Sequence, residues 1–177
     1  VPKGINRGFG SSEFAKMILG SQWGEPPQID LDDDEQLLQQ FLIRMAKEVR
    51  LHSASDVSDG GIAVAIARAT FPSGIGAEVD LSNIDATHIR TPLSDPQVPP
   101  AVVLFAEYSS QAIVTCDISA AEAICKEFPV AGTIIGRTGG EVISIRFGDA
   151  VISSPLKVLR EGYSQSLESL LAEEVTA

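Results

Sequence analysis

Asp56-Val57-Ser58-Asp59-Gly60-Gly61 is the segment whose residue types and spacing best fit chemistry. Two carboxylates three positions apart can face one divalent cation, and Mg²⁺ takes one or two carboxylates beside phosphate oxygens. Two consecutive glycines let backbone approach a ligand, so that free N–H groups face a phosphate. The same letters have a plainer meaning. Ser58 or Asp59 can cap a following helix, filling one of its unpaired N–H groups, with the glycines serving packing alone. Both readings stand on pattern alone.

Other candidates are weaker. Glu107 follows the apolar run Val102-Val103-Leu104-Phe105, at the end of an expected strand where ligand-facing groups often sit; a solvated turn residue is the alternative. Gly136-Arg137-Thr138-Gly139-Gly140 either presents Arg137 to an anion or is a β-turn. Gly10-Ser11-Ser12-Glu13 reads as a helix start, an anion site or a simple cap. The run Asp32-Asp33-Asp34-Glu35 suits the first turn of a helix, where negative charge meets the dipole, better than a metal site. His52 and His88 have no Ser, Cys or Asp at a telling spacing, so no triad or general base is suggested and no catalytic residue is assigned. Cys116 and Cys125 contain no CxxC pair and build neither a disulfide framework nor a zinc site.

These groups need elements to hold them. A short helix is expected over residues 12–19, closed by Gly20 and the loop through Trp23 and Pro27. Leu37, Leu38, Phe41, Leu42, Met45, Ala46 and Val49 recur at helical steps and predict one amphipathic helix, with Lys47 and Arg50 at its end. A strand over 51–55 leads into the Asp56 segment. Residues 62–69, small and apolar all round, predict a buried helix. Strands are expected over 76–81, 101–105, 111–116, 130–135 and 141–147, with a proline-bearing loop over 82–99 and a hairpin connection through Glu107-Tyr108-Ser109-Ser110. Ser119-Ala120-Ala121-Glu122 has the form of a capping box, opening a helix that stops before Pro129. A final amphipathic helix is expected over 164–172. The middle stretch β-β-α-β-β argues for an α+β fold.

Composition sets bounds. The chain has 177 residues and a formal net charge of −11, from 13 basic against 24 acidic residues. So few cations argue against nucleic-acid binding, where Lys and Arg supply most of the affinity. No apolar run approaches the roughly 18–20 residues needed to span a bilayer, and no basic-then-apolar leader opens the sequence. The expectation is one cytoplasmic domain over 1–177, with 1–10 and 173–177 flexible. Its opening Val1-Pro2-Lys3-Gly4, without Met, suggests part of a longer protein.

Taken in order, several segments resemble phosphoribosylformylglycinamidine synthase, of the AIR synthase-related superfamily. Ser53-Ala54-Ser55-Asp56-Val57-Ser58-Asp59-Gly60-Gly61-Ile62-Ala63-Val64-Ala65 resembles that family's Ala-His-Asp-Val-Ser-Asp-Gly-Gly-Leu-Ala-Val-Ala. Gly10-Ser11-Ser12-Glu13-Phe14 is similar to its Gly-Gly-Ser-Glu-Tyr, and Pro26-Pro27-Gln28-Ile29-Asp30-Leu31 to its Pro-Pro-x-Leu-Asp-Leu. Leu104-Phe105-Ala106-Glu107 stands where Leu-Phe-Gly-Glu is usual, and Ile135-Gly136-Arg137-Thr138-Gly139-Gly140 where Ile-Gly-x-Val-Gly-Gly is. Three positions depart: Ser55 replaces His, Ala106 replaces Gly, and Gln111 lies where a basic residue is frequent.

The resemblance implies the C-terminal domain of the family's synthetase subunit, a layered α/β/α domain with a mixed sheet, partly ferredoxin-like. It implies an ATP-dependent ligase of purine biosynthesis that converts formylglycinamide ribonucleotide to the amidine with glutamine-derived ammonia. ATP and Mg²⁺ would come into play only with the N-terminal ATP-binding domain, and the chain alone would be inactive. Implied partners are that domain and a glutaminase subunit, with homodimerisation an open option. Asp56, Ser58, Asp59, Gly60 and Gly61 are implied as the nucleotide or phosphate loop, Asp56 as metal-proximal, and Glu107 as substrate-facing. Two alternatives remain: the same domain from a selenophosphate, thiamine-phosphate or hydrogenase-maturation enzyme, and a free-standing, non-catalytic binding or assembly module.

Overall fold

The computed structural model describes residues 10, 12–20, 31–82, 84, 100–128 and 132–175. The loop through Trp23 and Pro27, most of the 82–99 segment, His88 and the first nine residues lie outside the described residues. The chain divides into two compact units, Val1–Ile66 with Asn83–Ile135, and Ala67–Ser82 with Gly136–Ala177. Among the described residues, no helix is long and apolar enough to cross a membrane.

Helical periodicity builds much of the first unit. Helix α1 is short, Glu13–Met17. Helix α2, Gln36–Lys47, turns Phe41 and Met45 into a cluster with Ile124, and Leu42, Leu51, Cys116 and Phe128 pack around it. A single π-helical turn, Leu31–Glu35, precedes α2, so the acidic run lies ahead of the α-helix instead of inside its first turn. Val49, expected on the apolar face, is outside the helix at φ 54 and 85% exposed. There Arg50 N donates to Met45 O at 3.0 Å and Val49 N to Ala46 O at 3.1 Å. Those two bonds form a Schellman cap, whose left-handed position usually holds glycine.

Strand β1, Ser53–Asp56, pairs antiparallel with β3, Ala112–Thr115, and Ser53 stands opposite Thr115. Their hydroxyls are 2.7 Å apart. Helix α5, Ile118–Glu127, follows β3 with Asp117 as its N-cap, so Ser119 lies inside the helix and the expected capping box does not form. Asp117 makes no side-chain cap bond; its Oδ1 instead lies 3.5 Å from His52 Nε2. At the far end of α5, Glu127 receives both arms of Arg50, at 2.7 and 2.8 Å. That bonding holds the Glu127 carboxyl below its ordinary range and raises the Arg50 guanidinium.

The expected strand over 101–105 is a helix, α4, Pro100–Phe105. Val102, Val103, Leu104 and Ala106 are all buried, and Ala106 N donates to Val102 O at 3.1 Å. An unbroken apolar run has no period to separate strand from buried helix. Pro100 at the first helical position was the available signal, since its fixed φ suits a helix start and its missing N–H costs nothing there. With α4 helical, the expected hairpin disappears and β3 takes β1 as its partner.

Helix α3, Gly61–Thr70, is the expected helix, with Ala63, Ala65 and Ile66 buried, Ile62 and Val64 half-buried and Arg68 exposed, so it is not buried on every side; it runs from the first unit into the second. The second unit carries a four-stranded mixed sheet in the order β4-β2-β5-β6. Its strands are β2 (Ala77–Asp80), β4 (Gly136–Thr138), β5 (Val142–Phe147) and β6 (Ala150–Pro155). Strand β2 runs parallel to β5 and antiparallel to β4, and β5 runs antiparallel to β6. Ala77, Val79, Ile143 and Ile145 share the buried face, as alternation dictates.

Two expectations shift here. No strand forms over 132–135; pairing begins at Gly136, where a Cβ would overlap the Glu78 carbonyl oxygen. The missed strand β6 follows a two-residue turn, Gly148-Asp149, with Gly148 at φ 56, a recognisable hairpin signal. Helix α6, Leu156–Val175, begins eight residues before the expected start. The result is a mixed α/β chain with a mixed sheet.

Two expected outcomes follow from this geometry. Val49→Gly removes a β-branched residue from a left-handed cap while burying nothing less, so urea unfolding should show a gain of about 1 kcal/mol. Glu127 titrates at a lower pH folded than unfolded, so its contribution is present above its ordinary pKa of 4.5 and is lost as pH falls through the folded value. The stability difference between the parent and Glu127→Gln should therefore shrink on acidification from pH 6 to pH 3, as read by thermal unfolding. An unchanged gap would remove the Arg50 pairing as its cause.

Candidate functional site

Three separate stretches of sequence meet at one carboxylate in the first unit. Glu107, just past the end of α4, turns its Oε1 onto two backbone amides: Gly60 N at 2.9 Å and Glu13 N at 2.9 Å. Gly60 belongs to the Asp56–Gly61 segment, and Glu13 opens α1. The partners lie 47 and 94 residues away in sequence. Among the described residues, Glu107 Oε2 accepts no hydrogen bond.

Packing fixes this meeting point. Phe14 of α1 stacks on Phe105 of α4, with ring centroids 5.4 Å apart, and both pack against buried Val102 and Ala106. Buried Ser12 caps α1, its Oγ accepting from Ala15 N at 3.1 Å. That is the capping reading of Gly10-Ser11-Ser12-Glu13. Gly61 sits at φ +71, and a Cβ there would lie 2.7 Å from Ala106 O and 2.8 Å from the Phe105 carbonyl carbon. The close backbone approach that this glycine permits is therefore to the end of α4. Ala106, one of the departures from the family pattern, is 1% exposed and keeps its methyl in that core.

The glycine amides are occupied. Gly60 N donates to Glu107, and Gly61 N donates to Ser58 O at 2.9 Å. Neither offers its N–H to a phosphate in this arrangement. Asp56 and Asp59 differ: both carboxylates are exposed, and neither has a hydrogen bond or ion pair among the described residues. No group of three or more His, Cys, Asp or Glu able to hold a metal ion occurs among the described residues. A divalent ion at this loop would find at most these two carboxylates and would need its remaining oxygens from elsewhere.

Asp56 also borders a cavity of about 370 Å³, walled by Leu38 and Leu42 of α2, Ser55 of β1, Glu35 and Gln111. Ser110, at φ 59, donates its Oγ to Glu35 Oε2 at 2.8 Å, while Gln39 donates to Glu35 Oε1 at 2.8 Å. The Gln111 carbonyl accepts from Val57 N at 3.0 Å and ties the loop to β3. Sequence reasoning missed the Glu35–Ser110 link, for which no local motif exists.

Arg137 lies in β4 of the second unit, opposite Glu78 in the strand register, and is in a strand instead of a turn. Cys116 and Cys125 are free and half-buried, and burial pushes the Cys125 thiol up, away from the thiolate that a nucleophile needs.

Residues 3–147 match the family model described as AIR synthase related protein, C-terminal domain. The phosphoribosylformylglycinamidine synthase subunit PurL of Thermobifida fusca is 33% identical over 169 residues, covering 94% of this chain and 20% of its own length. PurL of Thermoanaerobacter sp. (strain X514) is 31% identical over 165 residues, covering 90% of this chain and 21% of its own. The chain thus spans about a fifth of the length of the curated relatives it matches. A solved structure of Thermotoga maritima PurL complexed with FGAR superposes with a TM-score of 0.68 at 21% identity, over 88% of this chain and 26% of that one.

The approach at Gly61 has a measurable price. Gly61→Ala should lose about 3 kcal/mol or more, from left-handed strain together with overlap on α4 backbone. Gly74, at φ +66 with nothing within 4 Å of an added Cβ, is the control, and Gly74→Ala should lose only about 1 kcal/mol. Equal losses in urea titrations would sink the packing argument.

Proposed function

The chain belongs to the AIR synthase related protein C-terminal domain family, and from that premise we propose that it is the C-terminal domain of a phosphoribosylformylglycinamidine synthase of purine biosynthesis. Likeness to PurL along some nine tenths of the chain carries this reading. Thermotoga maritima PurL has been solved with FGAR and with ATP, AMPPCP and ADP, and a PurLQS structure exists from the same organism. The proposed reaction is ATP-dependent. Formylglycinamide ribonucleotide is phosphorylated on its amide oxygen with release of ADP, and ammonia from a glutaminase partner then displaces phosphate to give the amidine.

Within that reaction this chain supplies one wall of a site. Its N-terminal ATP-binding partner domain supplies the rest, and the isolated chain is inactive. Mg²⁺ would neutralise phosphate charge during transfer. Asp56 is the residue fitted to face it, being exposed, without a partner among the described residues, and positioned by β1. Asp59 is the second exposed carboxylate of the same loop. Glu107 acts through the loop, which it holds, and only its Oε2 is left for a ligand. The working compartment in this reading is the cytoplasm.

A non-catalytic binding or assembly module is the second reading. The internal engagement of both glycine amides favours it, because the loop is complete without a phosphate.

One substitution separates the two. In the complete enzyme containing this chain, Asp56→Asn should weaken magnesium–nucleotide binding at least about tenfold, read by calorimetric titration. Unchanged affinity and turnover would assign the loop to structure. An antibody against this chain should also detect a product several times longer than 177 residues in the source cells; a product of this length would favour the free-standing module.

A further inference from the structure

Glu107 caps two helix starts at once from a distant part of the chain, accepting from Glu13 N of α1 and from Gly60 N just ahead of α3. Two amides from remote parts of the chain converge on a single carboxylate oxygen, each at 2.9 Å. A glutamine carbonyl would satisfy both N–H groups equally well without placing a charge there. This chain already carries a net charge of −11, and among the described residues no ion pair includes Glu107. Paired backbone donors aimed at one point are the arrangement that proteins use to hold an oxyanion.

The position is also held firmly. Glu107 follows Ala106, whose carbonyl lies against Gly61, and Phe105 is stacked on Phe14. The donors on both sides are therefore fixed by contacts other than the carboxylate itself. Helix α1 has five residues and contributes one amide here, not a dipole.

We propose that the Gly60 and Glu13 amides form an oxyanion position that the chain fills with its own Glu107 carboxylate, closing the loop to an external carboxylate or phosphate while Glu107 stays in place. Glu107 is then a built-in occupant of the loop, and a ligand anion reaches those amides only by displacing it. This inference rests on the geometry of the loop and not on the ligase reading, so a failed activity assay leaves it untouched.

The test is chemical rescue in the 177-residue chain, with formate and inorganic phosphate as probes and chloride at equal ionic strength as control. The parent should show no melting-temperature response to either probe beyond chloride. Glu107→Ala should melt lower by roughly 5–10 °C, and its melting temperature should climb saturably with formate or phosphate, as linkage to a vacated site requires. Glu107→Gln, which keeps an acceptor but not a charge, should fold and ignore both anions. If Glu107→Ala folds only with anion present, the yield of folded protein in formate against chloride reads the same quantity. A parent that responds like Glu107→Ala would overturn the proposal. So would a Glu107→Ala protein that stays destabilised, or unfolded, with either probe.

Discussion

In the first unit one carboxylate oxygen accepts two backbone amides, and the elements around it are placed so that it can. Through it Glu107 joins the start of α1, the turn before α3 and the end of α4, three segments far apart in the sequence. The part-buried Gly60 amide, left without a partner, would cost roughly 1–3 kcal/mol, a large share of the ordinary margin of a folded domain, while water can reach the exposed bond at the Glu13 amide. The surrounding features make sense as conditions for this contact. Gly61 lets the turn lie on α4, Phe14 seats α1 on Phe105, and a methyl at position 106 fits because it faces the core.

The candidate chemistry therefore sits around a structural knot. Asp56 and Asp59 stay exposed, while the glycine amides of the same loop bond within the protein. A loop that spends its N–H groups internally cannot offer them to a ligand as well. What it still presents are carboxylates, and carboxylates alone suit a cation better than a phosphate. The charge of the whole chain points the same way, since an anionic nucleotide approaching a strongly acidic protein needs positive charge from a metal ion or from another domain.

Much of the architecture was legible because period and burial agree. Phe41 and Met45 recur at a helical step and both are buried; Val79 alternates with Asp80 and lies on the buried face of β2. Legibility failed where local pattern carries no period or where a distant contact decides. Val102-Val103-Leu104 reads as a strand by propensity and is a helix; burial on every side suits either, and Pro100 is the local sign. Strand β4 is set by pairing with the edge of β2, a close approach that Gly136 permits, and not by a strand pattern of its own. Ser119 has the letters of a cap, but the chain leaves β3 so that Asp117 takes that place. At the site, residue types singled out both the Asp56 segment and Glu107. Their bond could not be read, because no sequence pattern encodes a pairing across 47 residues.

The order of strands in the mixed sheet has a consequence for biosynthesis. Strand β2 leaves the ribosome early, but its neighbours β4 and β5 begin only at residues 136 and 142. At ordinary elongation rates that interval of roughly 60 residues takes on the order of 3–12 s. Throughout it, both hydrogen-bonding edges of β2 lack their native partners, while the second part of the first unit, residues 83–135, emerges to join residues 1–66 already outside. The nascent chain can complete its first unit before its second has a sheet to join, and β2 is the segment most in need of chaperone cover during the wait.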